Sequence, residues 1–245
     1  KAVIIDEIHE MIDGERGWQL SLGLSRLEQF KSSKVQRIGL SATIRNPEQV
    51  ASWLSEETEA ISASAPRYTE LSVDAIIPIP DDEVGSMELA ISPRAHATLR
   101  GLAQIVEEKN PCLIFVNSRN NAETISQRLQ SITPGLKIGV HHGSLAADTR
   151  AEMEDGLRNG SIQALVCTSS LELGIDVGSI NHIVQINSPR SVDRILQRVG
   201  RADHRIGGIG SGHLLGWEAD DLLESAVISR RAMAGEIEAI EWRER

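Results

Sequence analysis

Apolar residues along this chain fall into two alternating patterns. Short β-branched runs occur at 2–6 (AVIID) and 35–40 (VQRIGL), and again at 112–116, 137–141, 163–167, 182–186 and 213–217. Between such runs the apolar positions recur three and four apart. Ala95, Leu99, Leu102, Ile105 and Val106 keep this spacing, as do Ala122, Ile125, Leu129 and Ile132, so each set predicts a helix that buries one face. A helix over roughly 18–30 and a shorter one over 47–54 accompany the first two runs. Alternation of this kind predicts an α/β fold, with a mainly parallel sheet covered by helices.

The pattern breaks between 66 and 92. Pro66, Pro78, Pro80 and the acidic run Asp81, Asp82, Glu83 predict an interdomain connection carrying one extended segment. The expected organisation is a first domain piece over 1–66, the connection over 67–92, a second domain over 93–217 and a helical exit over 218–245. The first piece offers only two strands, too few to close a core of this type. About half a domain is therefore expected ahead of Lys1, and the chain reads as a piece of something longer. Such a partial domain would expose an apolar sheet edge, inviting association with its missing half or with another copy.

Composition narrows the class. No apolar run approaches the ~18 residues of a membrane-spanning helix, so no membrane partner is expected. Cys112 and Cys167 each sit inside an apolar run with no CxxC pairing, which predicts buried, reduced thiols and a reducing, cytoplasmic setting. The formal net charge of −10 argues against a nucleic-acid partner until its distribution is considered. Residues 67–92 hold one Arg against six acids, whereas residues 93–205 hold 13 Lys and Arg against 11 Asp and Glu. The net-positive stretch is also the one richest in candidate chemistry.

That chemistry sits at the ends of the predicted strands, where open α/β sheets bind ligands. Asp6-Glu7-Ile8-His9 follows the first strand; Asp6 suits Mg²⁺ held through water, and Glu7 suits the activation of a water for phosphoryl transfer. Ser41-Ala42-Thr43 follows the second strand, with hydroxyls suited to bond a neighbouring loop at His9 and relay nucleotide state. Asn117-Ser118-Arg119 and His141-His142-Gly143-Ser144 follow two later strands, and Arg119 suits a backbone phosphate. The adjacent histidines have no evident third ligand for a metal, so loop geometry and strand contact are expected of His142 and Gly143. In Thr168-Ser169-Ser170-Leu171-Glu172-Leu173-Gly174-Ile175-Asp176, the hydroxyls and free N–H groups of Thr168 and Ser169 suit a nucleic-acid phosphate. Gly174 and Asp176 lie on the nucleotide side, Asp176 suiting a ribose hydroxyl. Last comes Gln197-Arg198-Val199-Gly200-Arg201-Ala202-Asp203-His204-Arg205. Gln197, Arg201 and Arg205 are four apart and would share one helix face, a pair of arginines able to grip a γ-phosphate.

With these residues in order, the chain resembles a superfamily 2 helicase from motif II through motif VI, over essentially its whole length. Within that superfamily it most resembles the large helicase-related (Lhr) family. The supporting details are DEIH followed by Arg16-Gly17 and LSLGLSRLEQF, the HHGSL loop, SSLELGIDVG, and QRVGRxxHR with Arg201 and Arg205 four apart, where DEAD-box proteins usually place them three apart. Asp203 stands where the family normally has glycine. The resemblance implies the C-terminal part of a first RecA-like domain plus a complete second, P-loop NTPase-like one. It implies ATP and Mg²⁺ as cofactors, and single-stranded and duplex nucleic acid, DNA favoured, as partners. It implies 3′-to-5′ translocation with unwinding, and further domains beyond Arg245.

One part is missing from the motif set. A phosphate-binding loop needs GxxxxGK[ST], and none of the five lysines (Lys1, Lys31, Lys34, Lys109, Lys137) follows a glycine. The chain alone is therefore expected to be inactive as an ATPase. Two other readings stay open on sequence: a nucleic-acid binding module without a motor, and a duplex translocase that does not separate strands.

Overall fold

A computed structural model of the chain describes residues 2–12, 14–30, 35–41, 44–62, 69–172, 178–202 and 210–238. The described residues of 1–64 and 236–245 form one unit and those of 65–235 a second.

In the first unit, strand β1 (Ala2–Ile5) leads through a 3₁₀ turn (Ile8–Glu10) and helix α1 (Glu15–Gln29) to strand β2 (Gln36–Gly39), and helix α2 (Pro47–Leu54) follows. The strands pair in parallel, from Ala2 with Gln36 to Ile5 with Gly39. Ile5, Ile8, Ile12, Leu24, Val50 and Leu54 close a small core. Helix α1 begins three residues before the expected start, and Gly17 is what permits this. A Cβ at that position would lie 2.0 Å from the Met11 carbonyl oxygen, so only glycine lets the first turn approach the preceding loop.

The second unit is a six-stranded sheet. In chain order its elements are β3 (Thr69–Asp74), α3 (Pro80–Glu88), α4 (Pro93–Lys109), β4 (Cys112–Phe115), α5 (Arg119–Ile132), β5 (Ile138–His141), α6 (Ala147–Arg158), β6 (Ala164–Cys167), β7 (His182–Ile186), α7 (Val192–Val199), β8 (Gly210–Leu215) and α8 (Ala219–Met233). The spatial order is β3-β8-β7-β4-β6-β5, and every pairing is parallel. Strands β4, β6 and β7 are buried at every residue; β4 and β6 accordingly read as unbroken apolar runs, while β7 also buries His182 and Gln185. Leu99, Leu102 and Val106 of α4 and Ala122, Ile125 and Leu129 of α5 pack on Ile114, Val166 and Val184. Both helices start on a serine cap. Ser92 Oγ accepts from the Ala95 N–H and Ser118 Oγ from the Asn121 N–H. Both cysteines are buried free thiols, and burial pushes Cys112 up to about 12. No helix among the described residues is long and apolar enough to cross a membrane.

Two expectations are corrected by this architecture. Residues 69–92 are built into the second unit and do not span a gap between domains: β3 is the edge strand beside β8, and α3 packs along α4. Within the acidic run Asp82 is fully buried. It accepts from the Ile79 N–H (2.8 Å), from Arg100 Nε (3.1 Å) and Nη2 (2.9 Å), and pairs with His96 Nδ1 (2.8 Å). Those contacts, led by Arg100, hold its carboxyl well below the usual carboxylate range. A charge so satisfied pins α3 to α4. Likewise α8, expected as an exit from the fold, packs against β3 and α7.

His182 on β7 and His213 on β8 meet at 2.6 Å, Nε2 to Nδ1, with Ser211 Oγ 3.2 Å from His182 Nδ1. Burial, then the charges of Lys109 and His213, push His182 down to about 4; burial and Lys109 also lower His213, against a partial opposing effect of Asp74. A depressed imidazole stays neutral in the fold while the unfolded chain takes up a proton below about 6.5. The stability from this pair is therefore complete above that pH and lost as pH falls from 6.5 towards 4. Calorimetric Tm should drop between pH 7.5 and 5.0, and the drop should shrink in His182→Gln.

Candidate functional site

The candidate motifs other than Gln197–Arg205 follow the carboxyl ends of strands in sequence. In the first unit β1 ends at Ile5, and Glu7 takes a left-handed conformation (φ 48°, ψ 44°) that swings the chain into the 3₁₀ turn. A non-glycine residue there carries strain of order 1 kcal/mol or more. It persists because the turn is stitched to β2: Leu40 N–H donates to the Ile5 carbonyl (2.8 Å) and Ile8 N–H to the Leu40 carbonyl (3.0 Å). Asp6 Oδ1 accepts from the Glu7 N–H at 3.0 Å. His9 Nδ1 lies 2.9 Å from Ser41 Oγ and 3.5 Å from Glu7 Oε2, so the structure brings together the Glu7, His9 and Ser41 expected from sequence. Ala42 and Thr43 lie outside the described residues.

In the second unit the ends of neighbouring strands β4, β6 and β5 form one edge. Beyond β4, Ser118 caps α5 and the exposed Arg119 donates from Nη1 to Ser144 Oγ at 2.8 Å. Beyond β5 Gly143 is exposed, but the His142 ring is turned inward, with Nε2 2.8 Å from Glu123 Oε1. The His142 ring is thus tied to Glu123, and it is the backbone at Gly143 that stands exposed at this edge. Beyond β6, Thr168 N–H donates to the His141 carbonyl (3.3 Å), and Ser169–Leu171 form a 3₁₀ turn.

His141 underpins this turn. Its Nδ1 lies 2.8 Å from Ser170 Oγ and its Nε2 2.9 Å from Glu154 Oε1, beside a recess that Arg150 also lines. Burial lowers its pKa, partly offset by Glu154. A neutral ring that donates from Nε2 to Glu154 leaves Nδ1 as an acceptor, sharing the single Ser170 hydroxyl proton with the His141 carbonyl 3.1 Å from Ser170 Oγ.

The helix expected to align Gln197, Arg201 and Arg205 ends too soon. Helix α7 closes at Val199 with Gly200 N–H bonded to the Leu196 carbonyl (2.8 Å), and Ala202 then bridges Ile180. The chain has left the helix to reach β8, so Gln197 and Arg201 share no helix face. Arg201 Nε and Nη2 instead donate to the Glu172 carbonyl, at 2.9 and 2.6 Å. Arg205, Gly174 and Asp176 lie outside the described residues.

The comparisons bear on this arrangement. Residues 1–50 match the model of the DEAD/DEAH box helicases and residues 97–207 that of the helicase conserved C-terminal domain. The chain is 34% identical, over 98% of its length, to the Lhr helicase/probable uracil glycosylase of Mycolicibacterium smegmatis, covering 18% of that protein. It is 37% identical to the ATP-dependent helicase Lhr-Core of Methanothermobacter thermautotrophicus, over 97% of this chain and 28% of the relative. A solved structure of the Mycobacterium smegmatis helicase Lhr bound to ssDNA and AMP-PNP superposes with a TM-score of 0.86 at 37% identity, over 98% of this chain and 32% of that one. This chain belongs to the Lhr family of superfamily 2 helicases. It spans less than a third of the length of these Lhr relatives.

In this Lhr-family chain Arg198 and the two residues it bonds, Glu172 and Gln185, escape a reading by motif role. Arg198 is 2% exposed. It donates from Nε to Glu172 Oε1 (2.7 Å), from Nη2 to the same oxygen and from Nη1 to Gln185 Oε1, with its guanidinium 5.0 Å from the Phe115 ring centre. The signal was available: Val192, Ile195 and Val199 mark the inner face of α7, Arg198 falls on that face, and an arginine there requires an acid.

A titration of ring signals by NMR tests the neutral His141. It should titrate at lower pH than an exposed histidine, and Glu154→Gln, which removes the partner that raises its pKa, should lower it further.

Proposed function

We propose that this chain supplies the water-activating, finger and strand-contacting parts of an ATP-dependent helicase that moves along single-stranded nucleic acid, DNA favoured, 3′ to 5′, and separates duplexes. The observation that carries the reading is the set Glu7–His9–Ser41 at the loop end of β1 and β2, in which His9 Nδ1 is hydrogen-bonded to Ser41 Oγ (2.9 Å) and lies 3.5 Å from Glu7 Oε2. Such a set links a carboxylate able to polarise water to the segment leaving the next strand. A nucleic-acid binding module has no need of it.

The roles follow from chemistry. Asp6 offers one hard carboxylate oxygen set, fitting a Mg²⁺ that keeps most of its waters and also meets the nucleotide phosphates. When bound, that cation would neutralise charge developing on the phosphates. Glu7 orients and deprotonates the attacking water. Arg201, with Arg205 and Gln197, meets charge on the transferred phosphoryl group. Gly174 and Asp176 contact the nucleotide. Ser118, Arg119, Gly143, Thr168 and Ser169 line the edge that holds the strand backbone, with His142 bracing Gly143. Hydroxyls, backbone N–H groups and one exposed guanidinium suit phosphates without reading sequence. The buried thiols Cys112 and Cys167 fit a reducing, cytoplasmic setting.

Without GxxxxGK[ST] the chain has no cradle for the phosphates, so hydrolysis requires a segment that carries one. Single-strand-stimulated ATP hydrolysis should be absent from this chain alone and present when it is joined to such an upstream segment. In the joined protein Glu7→Gln should lower kcat by about 10²–10⁴ with little change in strand affinity. Hydrolysis by the chain alone, or none by the joined protein, would overturn the proposal.

A further inference from the structure

We propose that Glu172 is a positioning residue that orients the Arg201 guanidinium and ties it to the strand-contacting turn Thr168–Leu171. The inference rests on the motor reading above and assigns a role to a residue outside its catalytic set.

Glu172 closes the 3₁₀ turn, its N–H donating to the Ser169 carbonyl at 3.1 Å. Its own carbonyl accepts both Nε–H (2.9 Å) and Nη2–H (2.6 Å) of Arg201. Two donors on one acceptor fix the plane of the guanidinium as well as its position. A carbonyl can do this only if it is itself immobile, and the side chain of the same residue provides that. Its carboxylate is gripped by Arg198 through Nε (2.7 Å) and Nη2, with Arg194 Nε 4.0 Å away. Arg198 is fixed in turn by Gln185 and stands over Phe115, both in the buried middle strands. Residue 172 is thus held at two points by α7 and the turn after it. Thr168 and Ser169, proposed to meet the strand, precede it directly on the same short turn. A shift of that turn moves the carbonyl and the guanidinium together, and a displacement of about 1 Å at a reacting group can cost ~10²-fold in rate.

The rival reading is that the pair only stabilises the fold, and the test separates the two. In the complete protein carrying this chain and its phosphate loop, Glu172→Gln is expected to lower single-strand-stimulated kcat about 10–100-fold. KM for ATP and the Kd for a single-stranded oligonucleotide should stay within about threefold of wild type. Glu172→Gln leaves Arg198 buried without a counter-charge, so its Tm falls. Adding Arg198→Met removes that charge and should restore Tm while kcat stays low. In an Arg201→Lys background, Glu172→Gln should cause little further loss, because the group it positions has already been changed. Recovery of kcat together with Tm in the double variant, or an equal loss in the wild-type and Arg201→Lys backgrounds, would show a structural role and overturn the proposal. Absence of strand-stimulated hydrolysis in the wild-type complete protein would instead sink the motor reading on which it rests.

Discussion

In an all-parallel sheet each strand must be reached by a crossover that returns the chain to the same starting end, so every segment leaving a strand opens on one common edge. This constraint arranges the second unit. With strands in the order β3-β8-β7-β4-β6-β5, the exits of β4, β6 and β5 are neighbours although up to 50 residues of sequence separate them. Ser118, Gly143 and Thr168 thereby come to one edge with no interaction among them having to be specified locally. Burial of β4, β6 and β7 on both faces is the enforcing term. A one-residue slip in any of these strands would move its apolar set out of register with the helices that cover it.

Charges that the fold carries inward are met in two ways. Asp82 and Arg198 remain ionised because each is surrounded by several opposed or hydrogen-bonding groups: Arg100, His96 and the Ile79 N–H for one, Glu172 and Gln185 for the other. His141 and His182 are pushed towards the neutral form: for His141 burial outweighs Glu154, and for His182 burial acts together with Lys109 and His213. The first solution costs desolvation but brings direction, because removing either partner strands a charge. It is therefore suited to places where two elements must keep one relation, α3 on α4 and α7 on the turn after β6.

Legibility in the sequence follows the same physics. Strands buried on both faces and helices with one apolar face announce themselves, which is why 112–116, 163–167 and 182–186 foreshadow β4, β6 and β7, and 47–54 coincides with α2. An edge strand does not. In β3 only Leu71 and Val73 are apolar, so with prolines and acids beyond it the segment looks like a linker. The buried Asp82 is equally hidden, because burial of an acid depends on Arg100, 18 residues away. Of the candidate site, the positions that follow strand ends were readable. The end of α7 was not: it is set by the bridge between Ala202 and Ile180, a contact across 22 residues that overrides the four-residue arginine spacing. The inward turn of His142 was hidden for the same reason, its partner Glu123 lying on another element.

Net charge misleads here because it says nothing of placement. The buried Arg198–Glu172 pair adds nothing to the formal charge of −10, while Arg119 stands exposed beside Ser144. Among the described residues, the strand-end edge proposed above to hold phosphates carries the exposed Arg119 guanidinium, several hydroxyls and the N–H groups of turns. These are short-range donors, and their worth depends on placement more than on the field of the whole molecule. Recognition built this way is only as precise as the turns that carry the donors. Stiffness at the turn over Ser169–Leu171 therefore has to come from beneath, from His141 on one side and from Glu172 with its arginines on the other.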